Sequence, residues 1–195
     1  MAITTLNNRS INRSDTASSG QLWTATSATA SDFQAAAAGG KIGQVVQTQI
    51  TGQVDISSSS AVYADVTGLT VDITPVATNS KVLVMVTVNV GYDTGSIVFR
   101  LMRDSTAIAV GDAASNRAQC TFGTRTASSP YGLDVVNMKE SWLDSPSSTS
   151  ALTYKLQTHA TGYTETIRVD STNDDSDVVY SFRPVSTITV MEILA

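Results

Sequence analysis

The residues able to do chemistry are few in this chain and far apart. His159 is the only histidine and Cys120 the only cysteine among 195 residues. Zinc takes about four nitrogen, sulfur or carboxylate ligands, so this pair points away from a zinc site. A lone cysteine also forbids an intrachain disulfide. Serines and aspartates abound, but no Gly-x-Ser-x-Gly turn exposes a nucleophile, so a hydrolytic triad around His159 lacks its central element. The glutamates are Glu140, Glu165 and Glu192. Nothing in their spacing sets two of them across a groove, as glycoside cleavage requires. The expectation is a protein with no catalytic residues.

The densest run of oxygen ligands is Asp170-Ser-Thr-Asn-Asp-Asp-Ser-Asp177. Calcium at Asp170, Asp175 and Asp177 is the alternative there. The central glycine and terminal glutamate of an EF-hand loop are missing, so a solvated acidic loop and no cofactor is the expectation. Gly111-Asp112 and Gly132-Leu-Asp134 read as turns, because no helix follows them to cradle a phosphate. Arg100 and Arg103 are placed to pair with Glu140 or Asp104. Tyr92, Tyr131, Trp142, Tyr154 and Tyr163 could form a sugar-stacking surface, although aromatics in β-domains usually fill the core.

Composition narrows the partners. The net charge is −5, with 42% hydrophobic and 15% charged residues. Bulk electrostatics therefore oppose nucleic-acid binding. Arg9, Arg13 and Lys41 against Asp15 and Asp32 leave residues 1–41 at +1 and the remainder at −6. No run approaches the roughly 18 apolar residues of a membrane span. Met1-Ala-Ile-Thr-Thr does not begin a basic and then apolar secretion signal, so synthesis in a cytoplasm is expected.

The elements that must position these residues divide near Lys41. Residues 1–40 are rich in Ser, Thr, Ala and Asn and have few large apolar side chains. They read as an extended attachment arm, with Leu22, Trp23 and Phe33 as its anchors. Ser31 as N-cap and Gly39-Gly40 as stop predict one short helix over Ser31–Ala38. A helix that short needs a neighbour to be stable.

Residues 41–195 read as a β head of eight to ten short strands. Val82, Val84, Val86, Val88 and Val90 form one face of the strongest strand. Leu83, Met85, Thr87 and Asn89 make its other face semi-apolar, which calls for a second packing surface. Further alternation runs through Leu69–Ile73, Ile97–Leu101, Val136–Trp142, Leu152–Leu156 and Ile188–Leu194. Short strands are also expected at Val62-Tyr63 and Val178-Val-Tyr180. Without helices between strands, an all-β antiparallel sandwich, jelly-roll-like, is predicted.

The segments Phe99-Arg-Leu-Met-Arg-Asp-Ser-Thr-Ala-Ile-Ala-Val-Gly-Asp112, Trp142-Leu-Asp-Ser-Pro146, Leu152-Thr-Tyr-Lys-Leu-Gln157 and Ser186-Thr-Ile-Thr-Val-Met-Glu-Ile193 resemble virion surface proteins of tailed bacteriophages. The opening Leu6-Asn-Asn-Arg-Ser-Ile-Asn-Arg-Ser-Asp15 resembles leaders of phage fibre proteins. This resemblance implies a homotrimer with a jelly-roll-like head displayed on the virion, and it brings no catalytic motif or site residues with it. It leads to the expectation of a non-enzymatic virion protein held to other virion proteins through residues 1–40. A tail fibre or spike contacting a host glycan comes first, and a capsid-decoration protein second. A free carbohydrate-binding module is a further alternative, without nucleic acid or membrane insertion.

Overall fold

The computed structural model describes residues 21–25, 31–35, 42–58, 62–91, 95–126, 134–161 and 165–195. The chain divides into two compact units, residues 1–39 and 40–195. In the first, β1 (Gln21–Ala25) pairs antiparallel with β2 (Ser31–Ala35). This corrects the predicted helix over Ser31–Ala38: its described part is a strand, and residues 36–38 lie outside the described residues. The physical reason is the partner. A helix of about two turns leaves most of its backbone groups unpaired, whereas Gln21–Ala25 supplies a full ladder.

The second unit holds β3 (Ile42–Ile50), β4 (Val54–Ser58), β5 (Ala64–Ile73), β6 (Lys81–Gly91), β7 (Gly95–Arg103), β8 (Thr106–Ile108), β9 (Phe122–Thr126), β10 (Val136–Asp144), β11 (Leu152–Thr161), β12 (Glu165–Val169) and β13 (Ser186–Ile193). They form two antiparallel sheets in a sandwich-like arrangement. One sheet has six strands in the order β3-β13-β6-β12-β4, with β10 on the far edge of β6. The other has the order β5-β11-β7-β8, with β9 also on β7. From β5 to β7 and from β10 to β12 successive strands alternate between sheets, the jelly-roll-like feature of the topology.

The core lies between the sheets. Val82, Val84, Val86, Val88 and Val90 are all buried, with Ile188, Val190, Ile167 and Val169 beside them. Ile97, Phe99, Leu101, Tyr154, Leu156, Val66, Leu69 and Val71 belong to the same cluster. The predicted alternation thus selects the inward face correctly for these strands. Two short strands differ from expectation. Val62 and Tyr63 precede β5, and Val178–Tyr180 is a turn rather than a strand. Among the described residues no ladder partner reaches Val178–Tyr180, and hydrogen bonds within the loop hold it: Val178 N–H donates to Ser176 O and Ser181 N–H to Val178 O.

Candidate docking surfaces

The three predicted anchors fall in the hairpin. Its register sets Trp23 opposite Phe33 and Leu22 opposite Gln34.

On the head, register assembles a surface from four strands. Leu143 of β10 pairs with Leu83 of β6, Leu83 with Met191 of β13, and Met191 with Val45 of β3. Directly opposed residues share a face. Val82 and Val84 point into the core, so Leu83 and its row point outward. Leu143 is 48% exposed and Val45 53%. Leu83, Met191 and the neighbouring Met85 are half-buried. An apolar row thus crosses the outer face of the six-stranded sheet. Beside it, Trp142 faces the inner side with Val84 yet stays 43% exposed. Between buried Met138 and buried Asp144, strand β10 therefore lies outside the cover of the second sheet, and it presents an edge unpaired among the described residues.

A second surface is the loop from Asp170 to Val185. Asp170 adopts φ 60°, a left-handed conformation that aspartate tolerates. Its buried carboxylate accepts Ser186 N–H at 3.0 Å and Ser186 Oγ–H at 2.5 Å. Burial pushes this carboxyl above the usual aspartate range, against the opposing bonds from Ser186 and Asn89. Asn89 Nδ2 donates to Val185 O at 2.9 Å. Arg183 spans both Asp175 oxygens, 2.8 and 2.7 Å from Nη2. That guanidinium, with the Ser171 hydroxyl, holds the Asp175 carboxyl below its ordinary range. Arg168 reaches the backbone and side chain of Asn173. A Cβ on Gly91 would lie 2.5 Å from both Asn173 N and Ser171 O, so the loop seats against β6 where only glycine fits. Above this stem Val179 is 102% exposed, and Tyr180 and Phe182 are exposed as well.

The structure redistributes the other candidates. Asp170 and Asp175 are committed to Ser186 and Arg183, so they do not combine with Asp177 as a calcium cage. Among the described residues no group of three or more His, Cys, Asp or Glu side chains is gathered to hold a metal. Arg103 pairs with Asp144 at 2.7 Å, not with Glu140 or Asp104. Arg100 donates to Gln157 and lies 3.8 Å over the Tyr63 ring. The same ring meets His159 edge-on at 4.4 Å, and His159 is buried. Cys120 is half-buried, and burial raises its thiol above the ordinary value, which disfavours the reactive thiolate. Tyr154 is fully buried and cannot stack a sugar. Tyr92, Tyr131 and Tyr163 lie outside the described residues.

No known protein family matches the chain. No protein of curated function matches it either. Solved structures with some likeness include that of infectious bursal disease virus Gt strain, with 8% identity, TM-score 0.35, and coverage of 86% of this chain and 43% of that one. The Gx strain structure matches at 10% identity and TM-score 0.35, covering 88% and 43%. The VP2 subviral particle of the same virus matches at 12% identity and TM-score 0.32, covering 88% and 44%. The chain spans less than half the length of each. Likeness at this level carries no argument about function.

Proposed function

We propose that the chain is a non-enzymatic structural subunit of a virion, a homotrimer whose residues 1–40 attach it to the particle while the β head faces outward. The observation that carries this reading is the apolar row Leu143–Leu83–Met191–Val45. An exposed row of this kind on a sheet face marks a contact between protein surfaces. The resemblance to phage virion surface proteins supplies the assembly, and Leu22, Trp23 and Phe33 are the proposed attachment residues. Within the virion we place the protein as a tail fibre or spike, because the pinned loop at 170–185 offers exposed aromatic side chains to a receptor.

Sedimentation tests the trimer. The full chain should sediment at three times its 20.5 kDa. Val45→Glu with Leu143→Glu, both at exposed positions, should release folded monomers. A monomeric parent chain would overturn the role of the row. Quantitative mass spectrometry of purified particles tests placement. A few to tens of copies per particle support the tail, whereas hundreds support capsid decoration. Deleting residues 1–40 should abolish incorporation, and a truncated head that still incorporates would overturn the attachment role.

A further inference from the structure

We infer that the cavity lined by the loop from Asp175 to Arg183 binds one uncharged sugar unit, which deepens the host-attachment reading above and rests on it. The cavity holds about 300 Å³ and is lined by Asp175, Ser176, Asp177, Ser181, Phe182 and Arg183, with Val178 at its wall. That is the small end of ligand-pocket volumes, about right for one or two sugar rings.

The chemistry of the lining selects the ligand class. A pyranose has an apolar C–H face and an edge of hydroxyls. Phe182 is 53% exposed, so its ring is free to cover the C–H face. Asp177 has no hydrogen bond or ion pair among the described residues and lies exposed, so its two oxygens can accept a pair of sugar hydroxyls. The Ser176 hydroxyl donates to Asp174 and the Ser181 hydroxyl bonds that of Thr172, so each oxygen keeps a lone pair to accept a sugar hydroxyl. Arg183 uses Nε and Nη2 on Asp175 and Gln53, which leaves Nη1 without a partner among the described residues and able to donate to a ligand.

Charge then sorts among sugars. Asp174, Asp175 and Asp177 outnumber Arg183 and the neighbouring Arg168, and the rim carries a net −1. Uronates and sialic acids are repelled by such a rim, whereas neutral hexoses and N-acetylhexosamines are not. The stem is already fixed by the Asp170–Ser186, Asn89–Val185 and Asp175–Arg183 contacts. Little ordering is left for the ligand to impose, which favours binding by a small contact area. One ring in such a site binds at about millimolar affinity, and presentation in several copies raises the avidity.

Saturation-transfer NMR on the full chain tests this with the methyl glycosides of glucose, galactose, mannose and N-acetylglucosamine, and with methyl glucuronide as the charged counterpart. At least one neutral glycoside should receive saturation and the glucuronide none. Phe182→Ala and Asp177→Asn should each weaken binding by about tenfold, the worth of one lost ring contact or charge-assisted bond. Both residues are exposed, so circular dichroism should be unchanged. Saturation of no glycoside, equal saturation of the glucuronide, or parent-like binding by Phe182→Ala would each overturn the site. A chain present in particles that binds no glycoside refutes the cavity alone. A chain that binds glycosides but is missing from particles refutes the virion reading alone.

Discussion

Tyr154, Asp144 and Arg103 form a clamp between the two sheets, and removing one hydroxyl measures it. Asp144 ends β10 in the six-stranded sheet, while Arg103 and Tyr154 belong to β7 and β11 of the other. Arg103 Nη1 lies 2.9 and 2.7 Å from the two Asp144 oxygens. The Tyr154 hydroxyl donates to Asp144 Oδ2 at 2.7 Å. Tyr154 is fully buried and the Asp144 side chain is 8% exposed. Burial and the adjoining carboxylate hold the Tyr154 phenol well above its ordinary value, so it is a donor at neutral pH. Tyr154→Phe removes one hydrogen bond to a charged acceptor, worth about 1.5–3 kcal/mol, and leaves Asp144 still held by Arg103. We expect a loss of about 2 kcal/mol, or about 4–8 °C in Tm for a domain of this size. Asp144→Ala orphans the buried hydroxyl as well and should cost more, about 3 kcal/mol after allowing for the part-exposed Arg103. Urea unfolding at pH 7 with unchanged m-values reads both. A Tyr154→Phe variant within about 0.5 kcal/mol of the parent would refute the clamp, since surface substitutions already fall in that range.

Other perturbations address the loop and the pH response. Gly91→Ala drives a methyl group into the backbone of Ser171 and Asn173. It should cost about 1–3 kcal/mol, and hydrogen exchange should quicken across residues 170–177; parent-like exchange there would contradict the seating. Glu192 is fully buried and accepts Gln44 Nε2–H at 2.8 Å and Val76 N–H at 2.7 Å. Burial pushes its carboxyl up, but these bonds outweigh it and hold the carboxyl below the ordinary 4.5. A depressed folded value means stability present above about pH 4.5 that drains away as the pH falls further. Glu192→Gln should therefore flatten the acid limb of the unfolding curve below that pH, and an unchanged limb would rule Glu192 out as its source. Asp170 is raised, so its sign is opposite: the folded protein should lose stability as the pH rises through the window just above the ordinary aspartate value. Asp170→Asn should remove that fall in a urea series from pH 3.5 to 6, and a fall that persists would assign it elsewhere.

What could be read from the chain follows the range of the interactions. The valines of β6 and the alternation of β7, β11 and β13 are local patterns, and they identify the core without a partner in view. The hairpin is different. Asp32–Ala38 carries good helix formers after an N-cap, but Gln21–Ala25 is near enough to pair with Ser31–Ala35, and the ladder prevails over propensity. Val178–Tyr180 has strand-forming residues but no strand to meet, while Asp175 and Arg183 close its loop from either side. The semi-apolar outer face of β6 is visible in Leu83 and Met85. Only the register of four strands joins Leu83 to Leu143, Met191 and Val45. The pairing of Arg103 with Asp144 spans two sheets and 41 positions, and nothing local in the sequence sets Asp144 above Glu140 or Asp104 as its partner. Phe182 was invisible as a binding residue because its value lies in the stem that holds it exposed.

The claim underlying this account is that the chain works as a repeated part of a particle. Electron cryo-imaging of intact particles that encode it tests that most directly. The account predicts density for the β sandwich in groups of three, joined through the face carrying Val45, Leu83, Leu143 and Met191, with residues 1–40 running into the particle. Particles that lack this density, together with a monomeric purified chain, would contradict it.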